Sequence, residues 1–382
     1  MAIINRQPSI DKLHILHLIN VRWYNACAYY ALALAAAQKG LGHKVFLAGD
    51  PNNPYISKAE SMNLDFDKSP RLSSYFPHLV GNISWLKKFI KNKGIEVVVA
   101  HRGEAHVVAA LAKKIHRLDF ALIRVRGDVR PPKSDLFNRF LYSGITDGVI
   151  CTTAKLREIY LSLFKLSPRK VVVIPAGIDT GYYSRKRADI EQLKEEYSIP
   201  TGKKIITMLG RWSPIKGHKY FIKMAGRIIP KYTNLLFLIA GEQFEITKTD
   251  LRDMIDRYAP NAEFKIIGLV DDVRDILHLT DIAVIPSLGS EMIARVALEF
   301  MAAGKPIIAS RVNALAETVD DGAGGFLVSP GDFNGLAEAL IRLLENENEI
   351  KEFGGYNKSL AENKFSLEKW ASDSISFYLS LL

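Results

Sequence analysis

The residues best suited to chemistry lie in the second half of the chain. Glu291 and Glu299 are eight residues apart and bracket the start of an apolar, periodic run. Eight residues are about two helical turns, so both carboxylates fall on roughly one side. An ionised carboxylate only accepts hydrogen bonds, which suits vicinal hydroxyl groups. A helix starting between them offers N–H groups to an anion, here those near Ile293, Ala294, Arg295 and Val296. Upstream, Arg211 and Lys216 follow an apolar strand in the run Gly210-Arg211-Trp212-Ser213-Pro214-Ile215-Lys216-Gly217. Two cations there can give charge-assisted hydrogen bonds to a diphosphate, and Gly210 allows a tight turn. Spacing alone leaves a plainer reading open. In it, Glu291 only complements a helix dipole, Glu299 is solvated, and the cations decorate a solvated turn.

The surrounding sequence supplies elements to hold these residues. Ile282-Ala283-Val284-Ile285 reads as a strand ended by Pro286, and Ser287, Gly289 and Ser290 form a loop. A helix is expected from about Ile293 to Ala303, capped by Gly304, followed by the strand Pro306-Ile307-Ile308-Ala309. Strand, loop, helix, strand is the building unit of a parallel sheet, and ligands gather at the C-terminal ends of its strands. The alternation runs through both halves of the chain. Strands are expected at 14–19, 45–48, 95–100, 121–126, 148–153 and 171–174, and again at 204–209, 235–240, 264–267, 282–285 and 306–309. The fold class is therefore α/β, with two doubly wound domains over 1–180 and 181–365 and a last helical segment over 366–382.

Composition agrees with two cores. The chain has 382 residues, 48% of them hydrophobic, too many for one ordinary domain. Cys27 and Cys151 both sit in apolar surroundings, which argues for a reducing compartment, the cytoplasm, rather than a disulfide framework. The longest apolar run, Ala26 to Ala37, is well short of the roughly 20 residues of a membrane span and reads as a buried helix. The net charge of +10 is uneven: residues 1–180 carry 26 Lys and Arg against 13 Asp and Glu, residues 181–382 carry 25 against 28. The basic half is expected to meet an anion, whether nucleic acid, an anionic membrane or a phosphorylated acceptor. Nucleic acid is disfavoured, because the basic residues lack interleaved aromatic stacking platforms. Between Ile83 and Lys93, Trp85, Leu86, Phe89 and Ile90 share one side and Lys87, Lys88, Lys91 and Lys93 the other. An interfacial helix on anionic lipid looks like this, and so does an ordinary helix packed on a sheet.

Other features carry less. Asp65-Phe66-Asp67 has a D-x-D form, a three-residue match too short to imply a metal, and no metal site is expected. His101 and His106 lack the H-E-x-x-H spacing of a zinc site. His101 stands at a strand end and can face a cleft, although a lone His is more often structural. The first crossover turn, Asn20-Val21-Arg22-Trp23-Tyr24-Asn25, has no glycine and so is no dinucleotide site. Asn20, Arg22 and Asn25 can supply side-chain donors instead.

Glu291 and Glu299, followed by Phe300-Met301-Ala302-Ala303-Gly304-Lys305-Pro306, resemble the EX7E motif of the retaining glycosyltransferases of family 4. Gly210 to Gly217 resembles that family's G-R-x(4)-K-G phosphate motif, and Pro175-Ala176-Gly177-Ile178-Asp179 its P-N-G-V-D segment at the domain junction. The likeness is specific over about 205–335 and general over 1–180. It implies the GT-B fold: two Rossmann-like domains facing across a cleft, with the terminal helix crossing back to the first. It implies transfer of a hexose-type sugar from a nucleotide-diphosphate sugar, a UDP-sugar foremost, to a glycan or lipid-linked cell-envelope acceptor. No metal or cofactor is needed, and peripheral contact with an anionic membrane would fit such an acceptor. By the resemblance Glu291 sits at the transferred sugar and Glu299 holds the ribose hydroxyls. Arg211, Lys216 and the backbone from Ile293 to Val296 meet the diphosphate. Gly210, Gly241 and the loop at Val270, which receives the base, complete the donor site.

The chain departs from the family pattern in three places. Met292-Ile293-Ala294 replaces Gly-Phe-Gly and narrows the room around the sugar. The turn at 20–25 lacks the usual Gly-Gly pair. Gly127-Asp128 stands where relatives carry a catalytically important His, so Asp128 becomes the candidate on the acceptor side, or else an Asp capping the turn before Pro131. A nucleotide-sugar epimerase on the same fold, or a non-catalytic nucleotide-sugar binder, is the alternative reading.

Overall fold

Two seven- and six-stranded parallel sheets organise the chain in a computed structural model that describes residues 12–21, 25–73, 75–127 and 132–382. The first sheet contains β1 (His14–Ile19), β2 (Lys44–Gly49), β3 (Asp65–Asp67), β4 (Val97–Ala100), β5 (Ala121–Arg126), β6 (Gly148–Cys151) and β7 (Val171–Val173). Their order is β3-β2-β1-β4-β5-β6-β7. The second contains β8 (Lys204–Leu209), β9 (Leu235–Ala240), β10 (Phe264–Ile267), β11 (Ile282–Ile285), β12 (Ile307–Ser310) and β13 (Gly325–Val328), in the order β10-β9-β8-β11-β12-β13. In both sheets the first strand lies beside the fourth, and that is where the winding direction reverses.

Parallel sheets need cover on both faces, and the strands show it. Every residue of β4, β5, β9 and β11 is buried. The helix Ala26–Gly40 is apolar nearly all round and correspondingly buried, with Asn25 as its cap accepting from the N–H groups of Cys27 and Ala28. The amphipathic segment belongs to the helix Phe76–Lys93, which packs on the core of the first sheet. Leu86 and Ile90 are buried, and Trp85 and Phe89 pack on the same core. Trp85 Nε1 donates to Asp67 Oδ2 at 3.3 Å. Leu86 and Ile90 are thus covered by protein, and Trp85 and Phe89 are partly covered by it.

Contacts divide the chain into two compact units. One comprises residues 1–151, 156–174 and 370–382, the other 152–155 and 175–369. The end of the chain is part of the first unit through specific bonds. Trp370 Nε1 donates to Tyr30 Oη at 3.2 Å, and Gln38 Nε2 donates to Tyr378 Oη at 3.2 Å. A side chain on Gly148 would meet Leu381 and Phe377 within 3 Å, so the terminal residues press directly on β6.

Candidate active site

The candidate donor site lies in the second unit, at the C-terminal ends of β8 and β11. These strands are neighbours, and each is followed by a loop whose backbone is built for close approach. Gly210 follows β8 with a φ of +148°, a conformation that favours glycine, and its missing side chain faces open space. Gly217 ends the loop at φ +84°, and a Cβ there would lie 1.9 Å from the carbonyl oxygen of Pro286. The loops after β8 and β11 are therefore pressed together, with Leu288 N donating to Ile215 O at 2.8 Å.

That contact unites two sequence candidates. Lys216 Nζ forms an ion pair with Glu291 Oε1, and Ser287 Oγ donates to the same oxygen at 2.7 Å. Glu291 is buried, so it does more than complement a helix dipole. Arg211 stands apart from this pair. It is exposed, with its guanidinium 4.3 Å above the Phe244 ring, an exposed aromatic.

The helix Arg295–Ala302 begins two residues later than the pattern suggested. Ile293 and Ala294 precede it, and Arg295 and Val296 form its first positions. No side chain caps it, so its end is available to an anion in the manner of other helix N-termini. Ala294, its capping residue, has φ +50°, and Ser290 has φ +61°. Left-handed backbone costs a residue with a side chain about 1–2 kcal/mol. The loop thus keeps a backbone shape that glycine would adopt freely, although the chain carries alanine there.

Glu299 is the other surprise of burial. It is 3% exposed, which rules out a solvated face. Its Oε1 accepts from Arg295 Nε at 2.8 Å, and Tyr183 hydrogen-bonds it as well. Burial raises its pKa above the ordinary glutamate value, with Arg295 pulling the other way. Glu291 and Glu299 thus sit in separate, differently partnered pockets of polarity on the same unit.

The remaining candidates divide. Gly241 has φ +137°, and a Cβ there would meet Gly210 O at 2.1 Å, so its glycine is explained by the apposition of the turns after β8 and β9. Its N–H also reaches Ile267 O and Gly268 O, which ties in the loop carrying Val270. Gly210, Gly241, Val270 and Glu291 thus all follow strand C-termini on one edge of the sheet. Asp128 and Arg22 lie outside the described residues. Asn20 directly follows β1, and Asn25 is used as a cap.

His101 lies in the first unit, buried, with Nε2 2.9 Å from His17 Nδ1 and the two rings stacked. Burial, then the charge neighbours His17 and Arg124, hold its pKa well below the ordinary value. His17 is lowered to about 4 by burial, against the hydrogen bond that its Nε2 donates to Gln38 Oε1. His106 is buried against Thr146 Oγ1 at 2.8 Å. Asp67 is bonded to Trp85 and Ser69. Among the described residues no cluster of three or more His, Cys, Asp or Glu could hold a metal.

Sequence reasoning passed over several polar groups here. Ser287 fixes Glu291, and Tyr183 meets Glu299. Trp212 Nε1, Ser213 Oγ and His218 Nε2 are buried without partners immediately after β8. His218 is held to about 4 by burial and is neutral near pH 7. Three such buried polar atoms with nothing to bond, close together in one segment, are unusual, and only the three-dimensional packing reveals them.

Residues 28–182 match the model of glycosyltransferase family 4, and residues 203–346 that of glycosyl transferases group 1. The chain belongs to the family 4 glycosyltransferases. It is 24% identical over 314 residues to the N-acetyl-alpha-D-glucosaminyl L-malate synthase of Bacillus anthracis, covering 81% of each chain. It is 24% identical over 296 residues to an Escherichia coli UDP-Gal:alpha-D-GlcNAc-diphosphoundecaprenol alpha-1,3-galactosyltransferase, covering 72% of this chain and 75% of that one. In fold it resembles a glycosyltransferase from Rickettsia africae, with a TM-score of 0.84 at 18% identity over 97% of this chain and 99% of the other. It also resembles Anabaena HepE, solved with UDP and glucose, with a TM-score of 0.79 at 18% identity over 97% and 100%. The fold of this family 4 glycosyltransferase is accordingly GT-B. Among the described residues no helix is long and apolar enough to cross a membrane.

Proposed function

We propose that this glycosyltransferase moves a hexose-type sugar with retention of configuration from a UDP-sugar to a glycan or lipid-linked envelope acceptor, without a metal. The observation that carries the reading is the Lys216–Glu291 pair, formed by loops that follow neighbouring strands where the sheet reverses its winding. Such a crevice is where doubly wound sheets bind ligands. The relatives' names support the donor class, and HepE was solved with UDP.

In this reading the leaving group is a nucleoside diphosphate, whose β-phosphate gains charge as the glycosidic bond breaks. Fixed cations and N–H dipoles directed at that charge lower the barrier because they need no reorganisation. Lys216, Arg211 and the end of the helix Arg295–Ala302 supply them. Glu299, kept buried beside Arg295 and Tyr183, accepts from ribose hydroxyls. Glu291 orients the sugar while Lys216 holds it in place. Cation and dipole stabilisation of this kind takes the part a metal plays in other transferases.

The test is product stereochemistry and metal dependence together. The anomer released or transferred from a UDP-α-hexose is followed by NMR in EDTA. An α product formed at undiminished rate is expected. A β product contradicts retention, and activity lost in EDTA but restored by Mn²⁺ or Mg²⁺ contradicts the metal-free mechanism.

A further inference from the structure

The first unit contains a cavity of about 570 Å³ that none of the motif residues lines. Its polar lining is strongly cationic. Arg102, Arg124, Arg126 and Lys133 all contribute, against the single carboxylate of Glu104 among the described lining residues. Arg124 is decisive because it is 1% exposed. Its Nη1 donates to the carbonyl oxygens of Ala100 at 3.0 Å and Val125 at 2.5 Å, while its buried Nε has no partner. Among the described residues Arg102, Arg124 and Lys133 form no salt bridge. A buried guanidinium without a counter-ion is costly unless something anionic reaches it. His106 adds no charge, since burial and then Arg124 and Arg126 keep its pKa well below the ordinary value.

The other walls are apolar: Leu79, Val107, Pro132 and Leu141. The same two chain segments continue into exposed hydrophobic residues. Tyr75, Phe76 and Val80 are 62%, 73% and 53% exposed, and Leu136, Phe137 and Phe140 are 85%, 51% and 53% exposed. These are six of the fifteen large hydrophobic side chains exposed among the described residues, held in two stretches that flank one cavity. A basic pocket alone would suit any phosphate. A basic pocket continuous with unpartnered apolar segments selects a ligand with both characters.

We propose that this cavity binds the phosphate or diphosphate end of an amphiphile, with its hydrocarbon lying along the exposed residues at 75–80 and 136–140. As the acceptor, this amphiphile presupposes the glycosyltransferase reading; as a ligand, it does not. The phosphate accepts from Arg102, Arg124 and Lys133, charge-assisted bonds that guanidinium and ammonium groups make well.

The full-length protein is titrated calorimetrically with octyl phosphate below its micelle concentration, with octanol and with inorganic phosphate. One saturable site per chain is expected for octyl phosphate, at least tenfold tighter than either single-character probe. The double variant Arg102→Gln, Lys133→Gln should weaken it at least fivefold with Tm unchanged. The double variant Leu136→Ser, Phe137→Ser should remove the advantage over inorganic phosphate. Equal affinity for octanol, equal affinity for inorganic phosphate, several weak sites per chain, or insensitivity to the first pair would each overturn the assignment. UDP is titrated in parallel. UDP binding without an octyl phosphate site defeats the cavity assignment alone. The opposite pattern confirms the cavity and contradicts the donor reading.

Discussion

Between β8 and β11 the strand ends carry an ion pair, left-handed turns and an uncapped helix end. Between β1 and β4, the same pair in the other sheet, His17 inside β1 and His101 just after β4 are stacked, buried and neutral. The strand order around both crevices is the same. Topology therefore fixes where a ligand can approach, while the residues after each strand decide what chemistry it meets. In the second unit those residues suit a diphosphate. In the first unit the charge has moved outward along β5 to Arg124 and Arg126, away from the strand pair where winding reverses.

Removing the charge at the second crevice should have the largest effect. Lys216→Ala leaves Glu291 buried without its cation and the leaving phosphate without a donor. A fall in kcat of about 10²–10³ is expected from losing one such stabilising group. Steady-state kinetics with unchanged kcat would erase the contrast between the crevices.

Glu299→Gln comes next and should separate function from stability. Donor KM should rise about tenfold, since a neutral amide binds ribose hydroxyls less well. Stability should change the other way. Glu299 has a raised folded-state pKa, so the folded protein holds this proton more tightly than the unfolded chain. Its burial penalty is absent well below the unfolded pKa, grows as pH rises between the two pKa values, and is complete above the folded one. The Gln variant should be stabilised more at pH 7 than at pH 4, as read by thermal melts at the two pH values. A loss of stability at pH 7 would show that the Arg295 contact outweighs burial.

The matching change in the first unit should leave the donor untouched. His101→Asn removes the bond to His17 and should cost about 1–2 kcal/mol of stability, with UDP affinity unchanged by calorimetry. Altered UDP affinity would mean that the two crevices are not chemically separate. The smallest effect belongs to Ala294→Gly. Relief of left-handed strain is largely offset by the greater freedom of glycine in the unfolded chain, for a net gain of a few tenths of a kcal/mol. Competition among UDP-sugars should show a broader donor range. An unchanged range would mean that the alanine methyl does not limit the sugar.

Legibility differed between these regions for physical reasons. The turns after β8 and β11 must pass close to backbone, so their glycines and cations sit at fixed spacings that a sequence displays. The strands β4, β5, β9 and β11 were visible because burial on both faces demands continuous apolar runs. β3 and β13 were not read, since Asp65-Phe66-Asp67 and Gly325-Phe326-Leu327-Val328 are short and flanked by polar or glycine residues. The helix at 83–93 was read correctly as amphipathic, but its pattern cannot say whether lipid or protein covers the apolar side. The arginine cavity has no motif at all, because Arg102, Arg124 and Lys133 come from three elements and meet only in the fold. Lys216 as the partner of Glu291 and Tyr183 as the partner of Glu299 were likewise set by packing, whereas Arg295 meets Glu299 through i,i+4 spacing on one helix.

Hydrogen exchange with and without saturating UDP tests the central claim most directly. At a hundredfold excess over Kd, ligand binding should stabilise the folded protein by about 2.7 kcal/mol. Added protection is expected at 210–217, 268–271 and 291–299 in the second unit, and no change at 97–107 in the first. Protection centred on 97–107, or none at the loops after β8 and β11, would contradict a donor site at the crevice between those strands.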